Sequence, residues 1–307
     1  MAVLCRRNMA YLYLVLSFLL CSGFGFAELE KFEQSINGDG SLSFLVIGDW
    51  GRRGEFNQSE VALQMGSVGE KLGINFVVST GDNFYDDGLS GEDDPAFEES
   101  FSKIYTAQSL QKQWYSGNFP LHYPYLITKL AEIFFIDTTP FVKMYFTNEE
   151  GHTYDWRGVK SRKPYTANLL KDLEVALRES SAKWKIVIGH HAIRSIGHHG
   201  DTEELINRVL PLLKTYNVDF YMNGHDHCLE HFSDKESPIQ FLTSGAGSKA
   251  WRGDVKEKNR DGLQFFYDGQ GFMSVELNRS EAKIVFYDVF GEVLHKWSTK
   301  KELHSSI

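Results

Sequence analysis

Apolar residues along the chain gather in short runs that break off at glycine and polar clusters. Six such runs stand out: SFLVIGD (43–49), INFVVSTGD (74–82), EIFFIDTT (132–139), WKIVIGHH (184–191), DFYMNGHDH (219–227) and IQFLTSG (239–245). Their continuous apolar stretches suit strands buried on both faces. Between several of them the spacing turns helical. One helix is expected after Asn57, with Val61, Leu63, Met65, Val68 and Leu72 as its apolar positions. Another spans Tyr165 to Ser180, with Leu169, Leu170, Leu173 and Leu177 on one face. A third begins near Asp201-Thr202 and carries Leu205, Ile206, Val209, Leu212 and Leu213. Asp94-Pro95 reads as an N-cap followed by proline at the first helical position. From Gly271 to Ser298 the runs FMSVEL, KIVFYDV and EVLHKW read as consecutive hairpins. The pattern predicts a layered α/β domain whose polar chemistry lies where strands end.

The first residues belong to a different class. Arg6 and Arg7 precede an apolar run from Tyr11 to Leu20, and Gly25 and Ala27 occupy the small-residue positions before a cleavage site. This is the pattern of a secretory signal peptide over residues 1–27, cut after Ala27, with the domain at 28–307. The apolar run is too short to span a bilayer comfortably, so no membrane contact is expected after cleavage. Cleavage removes two arginines and no acid, taking the formal charge from −9 to −11. So acidic a chain is a poor partner for nucleic acid. Cys5 and Cys21 leave with the leader and Cys228 stays alone, which excludes an internal disulfide. In a secreted chain, Asn57-Gln58-Ser59 and Asn278-Arg279-Ser280 are glycosylation acceptors.

The strand ends offer Asp49, Asp82, Tyr85, His190, His225 and His227. Singly, each has an ordinary role as a cap, a turn residue or a satisfied polar group. Together they repeat one pattern: apolar strand, glycine, then Asp or His. Asp82 and Tyr85 share one tight loop. His225 and His227, two apart in an extended segment, share a face. The set fits two metal ions bridged by one carboxylate. Hard anionic oxygens with a phenolate favour Fe(III).

The motifs GDWG, GDNFY, VIGH and GHDH resemble, in that order, those of the purple acid phosphatases in the metallophosphoesterase superfamily. GDWGRRGEFNQSEVALQMG and VIGHHAIRSIGHHGDT resemble the small, single-domain plant type. The resemblance implies a four-layer α/β/β/α sandwich and a phosphoric monoester hydrolase. By it, Asp49, Tyr85 and His227 bind Fe(III), Asp82 bridges, and His190 and His225 bind a divalent ion (Zn, Mn or Fe). His199 matches the histidine that protonates the leaving group, with His198 ranked second. The implied substrates are small phosphomonoesters, hydrolysed in line across two metals. The implied state is a secreted monomer, with a cell-wall or vacuolar route open.

One stretch departs from the family. After Trp114-Tyr115-Ser116 the family continues to a Gly-Asn-His motif whose Asn and His complete the site. Here the chain runs directly into Gly117-Asn118-Phe119-Pro120, with His122 nearby. Two apolar residues are missing, which displaces a strand side chain by about 6–7 Å. The expectation is therefore a degraded fifth motif, a helix and strand missing near 117–133, and an incomplete, impaired metal centre. Three other readings stand beside it: an active phosphatase rebuilt through Asn118, an inactive splice product or faulty gene model, and iron-dependent peroxidation.

Overall fold

The computed structural model describes residues 31–116, 125–147, 156, 161–256 and 260–302. The leader (1–27), Asn118 and His122 lie outside the described residues.

Fourteen strands form two sheets among the described residues. One holds β1 (Lys31–Glu33), β5 (Tyr125–Ile127), β6 (Ala131–Phe135), β7 (Trp184–Ile188), β8 (Phe220–Asn223), β10 (Gln240–Ser244), β9 (Leu229–Ser233) and β11 (Leu263–Tyr267), in that spatial order. The other runs β14 (Val293–Lys300), β13 (Glu281–Asp288), β12 (Gly271–Leu277), β2 (Leu42–Ile47), β3 (Phe76–Ser79) and β4 (Trp114–Ser116).

Side chains alternate across each strand, and the alternation builds the layers. Leu42, Phe44 and Val46 of β2 face inward, where they join Ile133 and Phe135 of β6, Ile186 and Ile188 of β7, and Ile284 and Phe286 of β13 in one core between the sheets. Leu45 and Ile47 of the same strand face helix α1 (Gln58–Leu72). On the opposite outer face, Phe134, Val187 and Tyr221 pack under α2 (Arg162–Glu179), α3 (Glu203–Arg208) and α4 (Leu210–Thr215). Three apolar interlayers make four layers, α/β/β/α. Each fully buried Leu, Ile or Phe contributes about 1.5–3 kcal/mol to holding them.

The helices refine the periodic reading. Leu63 is 69% exposed, while Ala62, Gly66 and Gly69 lie on the buried side of α1. The helix lies so close to Ala107 that a Cβ on Gly66 would come within 2.5 Å of it. The single helix expected after Thr202 is two short ones, α3 and α4. Pro211 has no N–H to continue the first into the second. Asp94 is an N-cap, accepting the Ala96 N–H at 2.8 Å, but the α-helix it starts covers only Pro95–Phe97 before the chain winds on as a π-helix over Glu98–Ser102.

What matters for function is strand direction. β2 and β3 are parallel neighbours in one sheet, and β7 and β8 are parallel neighbours in the other. Residues just beyond their C-terminal ends therefore meet at one edge of the sandwich, the usual ligand site of such sheets.

Candidate metal centre

Asp49, Asp82, His190 and His225 follow β2, β3, β7 and β8 by two or three residues, each immediately after a glycine. Three of the four have left-handed backbone: φ is 58° at Asp49, 46° at Asp82 and 70° at His225. Non-glycine residues hold such angles at a cost of order 1–3 kcal/mol each, and only where the surroundings enforce them. Here the enforcement is visible. The Asp49 N–H donates to Gly81 O at 3.0 Å, Gly224 N–H to His190 O at 3.0 Å, and His225 N–H to Asp49 Oδ2 at 3.0 Å. At Gly224 the chain passes so close to Asp49 that a Cβ would lie 2.3 Å from its Oδ2.

These turns aim side chains at two adjoining clusters. In the first, Tyr85 Oη lies 3.0 Å from Asp49 Oδ1, 3.0 Å from Asp82 Oδ2 and 3.2 Å from His227 Nε2. In the second, His190 Nε2 lies 3.5 Å from Asp82 Oδ1 and 3.2 Å from His225 Nδ1. Asp82 thus turns one oxygen to each cluster. His190 Nδ1–H donates to Thr80 O at 3.1 Å, and His227 Nδ1–H donates to Lys249 O at 2.6 Å. A carbonyl can only accept, so both rings carry the proton on Nδ1 and turn an Nε2 lone pair inward, the form a metal needs. Trp251 lies flat on His227, 3.9 Å between centroids at 6°.

The electrostatics suit the binding of cations. Asp49 is completely buried. Among the described residues, the basic nitrogen beside it is His227 Nε2 at 3.5 Å, and that beside Asp82 is His190 Nε2, each a counter-charge only when its ring is protonated. A buried carboxylate without a full counter-charge is costly. Burial, then Asp49 and Asp82, push the Tyr85 hydroxyl far above its usual range, so the chain alone keeps it protonated. A highly charged ion inverts that balance. Burial opposes a charged His190, but Asp82 and Asp49 outweigh it and raise its pKa. Burial, helped by His191 and His190, holds His225 well below the ordinary value. The two groups Asp49–Asp82–His190 and His190–His191–His225 each bring their ligand atoms within 4.8 Å of one another.

His191 was missed by the sequence reading, although the doubled histidine in VIGHH signals it. Thr138 Oγ1 accepts the N–H groups of His190 (3.2 Å) and His191 (3.0 Å), so its own proton goes to His191 Nδ1 at 2.8 Å. His191 Nε2–H then donates to Tyr145 Oη at 2.8 Å. With no lone pair left, His191 props His225, whose ring centroid is 4.3 Å away.

The two histidines of the GHHG loop lie edge to face, 4.8 Å between centroids, and take different partners. His199 stacks on His225, 3.9 Å between centroids at 20°, and its N–H donates to Asp226 Oδ1 at 2.7 Å. Burial, then His198 and His227, lower its pKa to about 4. His198 turns away and pairs with Asp254 at 2.5 Å, half exposed.

The expectation of a degraded, incomplete centre is corrected. The Asp and His clusters are assembled and intact. The physical reason is their origin: the six ligand candidates come from the ends of β2, β3, β7 and β8, none from residues 117–133.

Comparison with known proteins agrees with this geometry. Residues 42–229 match the family described as calcineurin-like phosphoesterase. The chain is 58% identical to "Purple acid phosphatase 17" of Arabidopsis thaliana, covering 98% of this chain and 99% of that one. It is 28% identical to "Tartrate-resistant acid phosphatase type 5" of Homo sapiens, over 83% of this chain and 90% of that one. Among solved structures it is similar in fold to "GAP50 the anchor in the inner membrane complex of Plasmodium", with a TM-score of 0.70 at 24% identity, over 86% and 90% of the two chains.

Proposed function

We propose, for a chain that belongs to the plant-type purple acid phosphatases within the calcineurin-like phosphoesterases, a division of labour between its two clusters. The protein is an acid phosphatase with a binuclear metal centre. Its finer assignment is our reading. Asp49, Tyr85 and His227 would hold Fe(III), Asp82 would serve both ions, and His190 and His225 would hold a divalent ion (Zn, Mn or Fe). When bound, the metals supply positive charge for the phosphoester and an activated water at acid pH.

The chain's own residues do the rest. Asp82 joins the two halves, one carboxylate oxygen turned to each. Thr80 O and Lys249 O keep His190 and His227 in the ligating tautomer. His199, seated on His225, donates the proton that the leaving alkoxide needs. The negative charge of a bound phosphoester favours its imidazolium form. His198 is instead engaged by Asp254.

No helix among the described residues is long and apolar enough to cross a membrane. With the leader pattern at 1–27, this supports a secreted protein that reaches the cell wall or vacuole and acts on small phosphomonoesters. Asn57 and Asn278 support glycosylation, since both lie exposed at chain turns.

The convergence of Tyr85, Asp49, Asp82 and His227 within 3.0–3.2 Å of the phenol oxygen carries the proposal. The test is metal analysis and visible spectroscopy of the purified protein, with hydrolysis of an aryl phosphate near pH 5. We expect one iron and one divalent ion per chain, and a tyrosinate-to-Fe(III) absorption that disappears in Tyr85→Phe. An iron-loaded Tyr85→Phe protein of unchanged colour refutes the assignment.

A further inference from the structure

We infer that Arg52 is a positioning residue that tunes the metal centre electrostatically through the face of the Tyr85 ring; the inference rests on Tyr85 being the ligand of a ferric ion. The Arg52 Cζ lies 3.7 Å from the Tyr85 ring centroid. Phe56 flanks the same guanidinium at 5.6 Å. The side chain is only 15% exposed.

Backbone contacts leave this placement little freedom. Tyr85 N–H donates to Gly51 O at 2.9 Å, and Arg52 N–H donates to Gln58 Oε1 at 3.0 Å. The two loops touch so tightly at Gly51 that a Cβ there would fall 1.8 Å from Asn83 O. The residue before Arg52 and the residue two before Tyr85 are therefore locked together, and the guanidinium is delivered onto the ring.

Hydrogen bonding does not explain the position. Arg52 Nη1 meets Asp86 Oδ1 at 3.3 Å, but that carboxylate is 87% exposed, and such pairs are weak. The buried Nε–H finds no acceptor among the described residues. An unsatisfied buried donor is unfavourable, so the contact with the aromatic face is what the geometry retains. A planar, weakly hydrated guanidinium suits that face better than an ammonium.

The electronic consequence has a sign. The cation lies on the ring itself, nearer to the electron donor than to an ion beyond the phenol oxygen. It lowers the energy of the ring's donor electrons more than that of the metal's acceptor level, because the interaction falls with distance. The tyrosine-to-iron transition therefore moves to shorter wavelength. Being positive, Arg52 also makes the ferric ion easier to reduce.

The experiment compares wild type, Tyr85→Phe, Arg52→Gln, Arg52→Met and Arg52→Lys, each loaded with iron and zinc. Metal content, visible maximum and reduction potential are measured. Both neutral Arg52 variants should retain iron, absorb at longer wavelength and show a lower potential. Arg52→Lys, which restores a cation, should return both readings towards wild type. Unshifted maxima and potentials in the iron-loaded neutral variants overturn the inference, as does a lysine variant shifted as far as they are. An iron-loaded wild type without the band, or colour that survives in Tyr85→Phe, instead removes the ligand assignment beneath it.

Discussion

The two halves of the centre share one carboxylate and little else. Around Tyr85 Oη, two carboxylates and a phenol crowd within 3.0 Å, with His227 as the single nitrogen. Beyond the other oxygen of Asp82, two imidazoles face each other at 3.2 Å. The first half accumulates negative charge, part of it on the completely buried Asp49. The second adds two imidazoles to Asp82: burial keeps His225 uncharged, while Asp82 and Asp49 favour a proton on His190. The difference teaches how one fold selects two ions. On the proposed assignment, a highly charged, hard cation would offset the first half and displace the Tyr85 proton, whereas the second would suit a divalent ion that accepts imidazole.

The comparison breaks most completely at Asp82, where the halves join. Asp82→Asn should lower both iron and divalent content and reduce turnover on the order of a thousandfold or more. Metal analysis beside aryl phosphate kinetics checks this; loss of one metal alone would show that Asp82 serves only one half.

His199 sharpens the contrast from outside, because it touches the imidazole half. His199→Ala should keep both metals and the colour but lose about a hundredfold or more in turnover. The loss should be greatest for substrates with poor leaving groups, read from a series of aryl phosphates of graded acidity. A uniform loss across the series would assign His199 to binding.

The halves should also fail separately. His225→Ala should retain colour and lose the divalent ion, while Tyr85→Phe should lose the colour. A milder version lies at Tyr145. Tyr145→Phe removes the acceptor of His191 Nε2–H and should weaken divalent binding by about tenfold, leaving the visible spectrum unchanged. Competition with a chelator measures the first, and a spectrum of the same sample the second.

The smallest effect concerns stability beneath the His199 loop. Glu230 is buried, accepts the Ile196 N–H at 3.1 Å, and is pushed up from 4.5 to about 8, first by burial and then by Asp226. The folded state therefore keeps a proton that the unfolded chain gives up. Its contribution to stability is full below about pH 4.5 and is lost as pH rises towards 8. Urea midpoints should fall between pH 5 and pH 8 in wild type and fall less in Glu230→Gln; parallel curves would remove Glu230 from the account.

Much of this was legible in the sequence, for physical reasons. The strands that carry ligands are doubly buried, so β2, β3, β7 and β8 appear as unbroken apolar runs ending in Gly-Asp or Gly-His. Strands that are not buried on both faces, such as β1 and β11, carry little pattern of their own and take their form from neighbours. Leu63 misled the reading of α1, because glycines at 66 and 69, closely packed against the 107–109 turn, replace large apolar residues on the buried face. The support of His191 by Thr138 and Tyr145 spans 53 and 46 residues, beyond the reach of local spacing. The expectation of a damaged centre erred by weighing a change near Asn118 against ligands that arise elsewhere. Arg52 and Tyr85 lie 33 positions apart, and local spacing carries no sign of the contact that the fold makes between them.

The central claim is that charge sorts the two ions. Its most direct test is crystal diffraction from the iron- and zinc-loaded protein, with anomalous data collected at each metal's absorption edge. The account predicts an iron peak among Asp49, Tyr85, His227 and Asp82, and a zinc peak among Asp82, His190 and His225. Iron at the His190–His225 side with zinc beside Tyr85, or both metals mixed equally over the two positions, would contradict it.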